Sequence, residues 1–517
     1  MMIRELASSG TQLPMGFQRR EKQAAMEISV PLTGTEQLYY RTDEKPHQIS
    51  DDLRALHVAH DELDETAIYS YLQFGAVVPP LSPWKAIRRF IPGTTATISN
   101  TGIQTLPRQP SLRPLPKASP SPDIEQQIST VVAALDRCLL QHCAGRPVTI
   151  LFSGGVDSGL LAARASALGL KNVTLVNYCF GPNDPESMLA EQMARHLGLK
   201  FVRIVEDTGG SDVADVLQHA GRYYRTLFGD HSAAPTCAMI RAIIPRCEPG
   251  GVVLEGTGAD SGFGEFGRAM QWQRVYSLPA WGRKLGAAAY RTTRAWGRVS
   301  KLEYYLRILR RADQLPHPFS AVAENALRGI AYHPSKDIIS AIEEHLLQWL
   351  PHMSPPDPRL QLAAFDLSLG CASITAQKSR SLFDGTSLDV VYPYLLPDMI
   401  DVAFASVDWP GSGTEVKRVL KAALARHVPA AMVYRAKSGF VASMPDKFGH
   451  KAFLTAFDKL LEPRSPLGRF LDRKFLLGIR PKLAAKRKLP PQTEYFLWCA
   501  VFGNEWIEQV SRRSLNS

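Results

Sequence analysis

The hexapeptide Ser153 to Ser158, SGGVDS, stands between the apolar run Val148 to Phe152 and the helix-like stretch Gly159 to Leu168. A strand, a tight turn and a helix start therefore follow one another, an order that builds a phosphate cradle. Ser153, Gly154 and Gly155 let backbone N–H groups approach an anion closely, the helix start adds the positive end of its dipole, and Ser158 offers a hydroxyl. Asp157 argues against a simple anion hole. A carboxylate among phosphates repels them unless a divalent cation lies between, so the loop predicts a nucleotide bound with magnesium. The glycine spacing and terminal Lys-Ser/Thr of the GxxxxGK[ST] phosphate loop are missing.

Around this loop, strand and helix patterns alternate. Val148 to Phe152, Val173 to Phe180, Phe201 to Val205 and Gly251 to Leu254 read as strands, and Gly159 to Leu168 and Pro185 to Leu197 as helices. Such alternation predicts an α/β fold with a doubly wound parallel sheet. A helix from Pro122 to Leu140, striped by Ile128, Val131, Val132 and Leu135, precedes it. Beyond Arg268 helical patterns dominate. The proline-rich TLPRQPSLRPLPKASPSP, residues 105–122, excludes continuous helix and reads as a semi-rigid linker. It separates a small α+β piece, residues 1–104, from the sheet and the mostly helical remainder, residues 123–517. The small piece holds strand-like Gln37 to Arg41 and a helix over Asp64 to Phe74.

With 517 residues the chain is long enough for several cores. Its net charge of +11 suits an anionic partner without choosing among nucleotide, nucleic acid and acidic surface. Seven scattered cysteines form no CxxC pair, which disfavours both a disulfide framework and a zinc ribbon. No stretch reaches signal-peptide or membrane-span character, so a cytoplasmic protein without a membrane partner is expected.

A second glycine-rich turn, Leu254 to Gly264, also follows an apolar run; at the same sheet edge, Asp260 would join Asp157 in holding magnesium. Farther on, Gly413 to Phe440 reads GTEVKRVLKAALARHVPAAMVYRAKSGF. Thr414 and Glu415 suit a helix start, Lys417 and Lys421 lie one turn apart, Pro429 ends the helix, and Arg435 and Lys437 follow on an extended piece. Fixed cations beside a nucleotide stabilise developing negative charge.

These three motifs, in this order, resemble the asparagine synthetase family, whose synthetase domain is an N-type ATP pyrophosphatase. That family carries SGGVDS, a SGEGSDE-type loop and a region like EKxxLR…LPxxxxxRxKxGF, matched here by Ser153 to Ser158, Glu255 to Asp260 and Glu415 to Phe440. The resemblance implies that ATP is cut between its α and β phosphates, with Ser153, Gly154, Gly155, Asp157 and Ser158 at the pyrophosphate. It makes Phe152, Phe180, Glu255 and Gly256 adenosine contacts, Asp157 and Asp260 magnesium ligands, and Lys437 the catalytic lysine. Lys417 would meet a phosphate.

The departures matter as much. Glutamine-using members begin with a cysteine after methionine removal; here position 2 is Met2 and the first cysteine is Cys138, so glutaminase chemistry is expected to be absent. The amino-terminal piece resembles only the last part of the family's glutaminase domain, a truncated brace. Thr257 stands where asparagine synthetases carry glutamate and β-lactam synthetases tyrosine, and threonine is a poor general base. Asp230 and His231 flank the expected acyl pocket, with His231 read as structural. The aromatic and arginine-rich stretch Phe266 to Arg311 reads mainly as helical core, and Arg480 to Lys488 as an exposed basic loop.

The chain is therefore expected to be a carbon–nitrogen ligase using ATP and magnesium, specialised for a small-molecule or peptide substrate, such as β-lactam or lasso-peptide ring closure. A biosynthetic partner protein fits that role. The alternatives are an ammonia-dependent asparagine synthetase, a tRNA-modifying enzyme with the same loop, and a non-catalytic ATP-binding subunit. Nucleic acid is disfavoured because the cysteine pair or sulfur-relay domain of tRNA thiolation is not found.

Overall fold

The structure, a computed structural model, describes residues 18–22, 25–44, 48–99, 102–107, 123–179, 181–205, 212–264, 274–275, 277–293, 309, 327–349, 358–406, 416–435 and 449–514. The amino-terminal piece holds two small antiparallel sheets. One has the order β1-β2-β6-β7, from Gln18–Lys22, Ala25–Ser29, Thr94–Ser99 and Gly102–Pro107; the other has β4-β3-β5, from Ile49–Ser50, Tyr39–Arg41 and Ile87–Arg89. The expected linker start is corrected here, because Thr105 to Pro107 continue β7 and pair with Ala96 to Thr94. Proline is tolerated there because β7 is an edge strand and Pro107 its last residue.

The larger sheet pairs β10 (Lys200–Val205), β9 (Val173–Cys179), β8 (Val148–Leu151), β11 (Val252–Leu254) and β12 (Asp389–Val391) in that order, every pair parallel. Alternate residues of its strands face opposite cores. Val148, Ile150, Leu175, Val252, Leu254 and Val391 pack with helices Ile124–Cys143, Val156–Ala167 and Arg418–Leu424. Val176, Ile204 and Val253 turn to the helix Ala233–Ile243 on the other side. Both faces are covered, which is the expected doubly wound arrangement.

Several boundaries move. Helix Val156–Ala167 begins three residues before the expected Gly159, so Asp157 and Ser158 lie in its first turn, where a carboxylate suits the positive dipole end. Strand β12 falls in the region read as helical; three residues are too short to display alternation, and only pairing with β11 defines them. Arg480 to Ala484 belong to the helix Arg473–Ala484 rather than to a loop, since Ile479 and Leu483 are buried and Arg480 pairs with Asp458 at 2.9 Å.

The two sides of the proline-rich segment share one core. Helix Glu65–Phe74, capped by Asp64 accepting from the Ala67 N–H at 3.1 Å, is buried along nearly its whole length. Trp84 meets Trp506 of the carboxyl-terminal helix Pro491–Ser514, ring centroids 5.6 Å apart, and the Tyr71 hydroxyl donates to the Cys499 carbonyl at 2.8 Å.

Candidate active site

Strand β8 is hydrogen-bonded to β9 on one side and to β11 on the other, so the strand order reverses beside it. Ligands of open α/β sheets bind at such a switch point, beyond the carboxyl ends of the strands. The register pairs Ile150 with Leu254, which brings the loops starting at Phe152 and Glu255 side by side. A Cβ on Gly256 would stand 3.0 Å from Cβ of Asp157, so glycine lets the second loop lie against the first. Gly154 has φ of +67°, and a Cβ there would come within 2.7 Å of Cα of Ala190; only glycine makes this turn without strain.

Hydroxyls shape the first loop. Ser153 donates its backbone N–H to Oγ of Ser158 at 3.2 Å, and Gly155 donates to Oγ of Ser153 at 3.2 Å. From outside, Arg435 Nη2 donates to the Gly154 carbonyl at 3.0 Å and the Tyr394 hydroxyl to the Asp157 carbonyl at 3.0 Å. Neither Arg435 nor Tyr394 was singled out as a site residue. The Arg-x-Lys spacing before Lys437 was the available signal for Arg435; Tyr394 had none.

Lys417 joins the loops. Its Nζ donates to the two carboxylate oxygens of Asp157 at 2.7 and 2.6 Å and lies 2.5 Å from Oδ1 of Asp260. Burial alone would lower the pKa of this lysine, but the Asp157 and Asp260 carboxylates outweigh it and raise it. Lys417 has φ of +57° and caps the helix Arg418–Leu424 instead of lying within it. Lys421 remains one turn on, its N–H donating to the Lys417 carbonyl at 2.9 Å. The helix ends before Pro429, which opens the short helix Ala430–Val433 instead of closing the longer one.

Glu255 accepts from Thr257 Oγ1 on one carboxylate oxygen and from Ser379 Oγ on the other, both at 2.7 Å. Thr257 is thus a hydroxyl donor to a carboxylate and unsuited to take a proton from an amine. Phe152 is packed in the core beneath the loop, 2% exposed and edge-on to Phe201, with its carbonyl accepting from Asn177 Nδ2. Asp230 is paired with Lys378 at 3.1 Å and accepts from Ser232; burial pushes its carboxyl up, but Lys378 and Ser232 together bring it down to about 2. His231 packs edge-on to Tyr495. Phe180, Thr414, Glu415 and Lys437 lie outside the described residues, as do Trp272, Trp296, Tyr304 and Tyr305.

The sequence profile named asparagine synthase matches residues 130–502. The chain belongs to the asparagine synthase family. Membership makes it an ATP-using enzyme of the ligase or adenylating class, on the fold of the ATP pyrophosphatases. No curated protein matched the chain. Among solved structures it is similar to an NH3-dependent NAD synthetase from Campylobacter jejuni, at 13% identity, covering 46% of this chain and 99% of that one with a TM-score of 0.20. It is also similar to a U34-tRNA thiolase from Methanococcus maripaludis, at 13% identity, covering 60% and 95% with a TM-score of 0.21. Among the described residues no helix is long and apolar enough to cross a membrane.

Proposed function

We propose that the chain forms an amide bond by adenylating a carboxylate and passing the acyl group to an amine, as a specialised ligase or cyclase acting on a peptide or natural-product acid. A carboxylate oxygen attacks the α-phosphorus, the bond to the β-phosphate oxygen breaks and pyrophosphate leaves; the amine nitrogen then attacks the acyl carbon and AMP leaves. The observation that carries this reading is Lys417 spanning Asp157 and Asp260 across the two loops at the switch point. Two carboxylates that converge on one cation suit magnesium, a hard ion often held by one or two carboxylates together with substrate phosphates. Asp157 and Asp260 would hold it; bound there, it would neutralise phosphate charge. Lys417 meets the departing phosphates, and Lys437 stabilises the oxyanion of the acyl-transfer step.

Thr257 supports the specialised reading over asparagine synthesis from free ammonia. Its hydroxyl is committed to Glu255, so the amine must be deprotonated by another group or by the substrate itself. The thiolation alternative loses support because all seven cysteines are free and scattered, and burial pushes the Cys138 thiol up to about 12 and the Cys143 thiol up to about 11. The test is ATP–pyrophosphate isotope exchange by the purified chain, with aspartate plus ammonium in one arm and peptide acids in the other. Exchange with a peptide acid is the expected result. Asparagine formed from ammonium would overturn the specialised reading, and pyrophosphate-independent release of ADP would overturn the adenylation itself.

A further inference from the structure

Arg89, the last residue of β5, is 5% exposed and forms no ion pair with a carboxylate among the described residues. Its one side-chain hydrogen bond among the described residues runs from Nη1 to Oγ of Ser373 at 3.0 Å, on the π-helix Asp366–Thr375. The remainder of the guanidinium borders a small cavity whose polar wall is Gln37, Tyr39, Ser82, Thr226 and Ser373, with no Asp or Glu among its lining residues. The hydroxyls there are already spoken for. Tyr39 bonds to Oε1 of Gln37 and lies 2.8 Å from Oγ1 of Thr226, while Ser373 donates onward to the Ser368 carbonyl at 2.8 Å. With Oε1 of Gln37 accepting, its NH2 is left as a donor beside Arg89.

A buried guanidinium without a counter-charge is among the least favourable arrangements in a protein interior. Arginine cannot relieve it by losing its proton at any physiological pH. Burial does push its pKa down, with Tyr39 as the only opposing electrostatic partner. No described residue supplies the missing charge, and the cavity has room for one small group. We infer that this cavity is a buried binding site for a chloride-sized monoanion, held by Arg89 and Gln37 at the seam between the amino-terminal piece and the ligase part. A phosphate is too large for it, and one cationic side chain matches one negative charge.

The anion would act as a clamp, since Arg89 and Gln37 come from the amino-terminal piece and Thr226 and Ser373 from the ligase part. Thermal unfolding of the full chain should be followed in sodium chloride, sodium bromide and sodium gluconate at one fixed ionic strength. A ligand bound only by the folded state raises the midpoint saturably. Chloride and bromide should do so and gluconate should not, and Arg89→Met should weaken the apparent half-saturation at least tenfold or remove the effect. Equal midpoints in the three salts, or an unchanged halide response in Arg89→Met, would overturn the assignment. If Arg89→Met does not fold, bromide-soaked crystals of the unmodified chain decide: an anomalous peak beside Arg89 supports the site, and water density there without such a peak refutes it.

Discussion

At the scale of single residues, the two aspartates and Lys417 act as one unit, with a buried ammonium held by carboxylates from both loops. Asp157→Ala should abolish pyrophosphate release measured with any accepted acid. Lys417→Met should slow turnover by roughly 100-fold or more, as loss of a charge-stabilising donor usually does. The same variant frees two carboxylates from their ammonium, so it should bind free manganese more tightly than the parent, read by the loss of the free-ion electron paramagnetic resonance signal. Asp230 adds a pH dependence. Its folded-state carboxyl sits at about 2, below the ordinary 3.8, so its contribution to stability is present above the ordinary value and is lost as the pH falls through about 2. Asp230→Asn should therefore flatten the acid limb of an unfolding-versus-pH curve between these values. Lys378→Met, which leaves Asp230 buried without its cation, should cost on the order of 3 kcal/mol at neutral pH by denaturant unfolding.

At the scale of elements, the loop after β8 owes its shape to Gly154. Alanine there must take φ of +67° and meet Ala190 at 2.7 Å, so Gly154→Ala should weaken ATP binding in calorimetry by more than tenfold, since roughly 1–2 kcal/mol of left-handed strain adds to the clash. Helix Glu65–Phe74 depends on its cap: Asp64→Ala should cost about 1 kcal/mol of unfolding free energy while leaving pyrophosphate exchange intact. Strands β8 to β11 were legible as apolar runs set between helical periods, and the helix Glu65–Phe74 from its own pattern. Strand β12 and the π-helix Asp366–Thr375 were not, because a three-residue strand shows no period and π-turns carry no distinct spacing in sequence. The early start of helix Val156–Ala167 escaped for a related reason: Val156, Asp157 and Ser158 look like loop residues until the helix dipole gives Asp157 a reason to be there.

At the scale of the whole molecule, the amino-terminal piece is joined to the rest by shared core. The pair Arg41 and Asp61, both side chains 1% exposed, stiffens that piece from within, and Trp84 and Tyr71 fix it to the carboxyl-terminal helix. Trp84→Ala should cost about 3–5 kcal/mol by denaturant unfolding, and the unfolding should remain a single transition, because Trp84 lies in the core cluster that both sides of the proline-rich segment share. What the amino-acid order determined alone is local: the SGGVDS turn, the alternation of strand and helix, and the family motifs, each encoded within a few neighbouring residues by backbone preference and hydrophobic period. What only the tertiary structure decided is long-range. Lys417 meets Asp157 across 260 positions of chain, the Thr257 hydroxyl turns to Glu255, and Arg89 ends in a cavity without a carboxylate in its lining. Such pairings depend on which surfaces pack together, and no periodicity along the chain records the distance between residues that folding brings into contact.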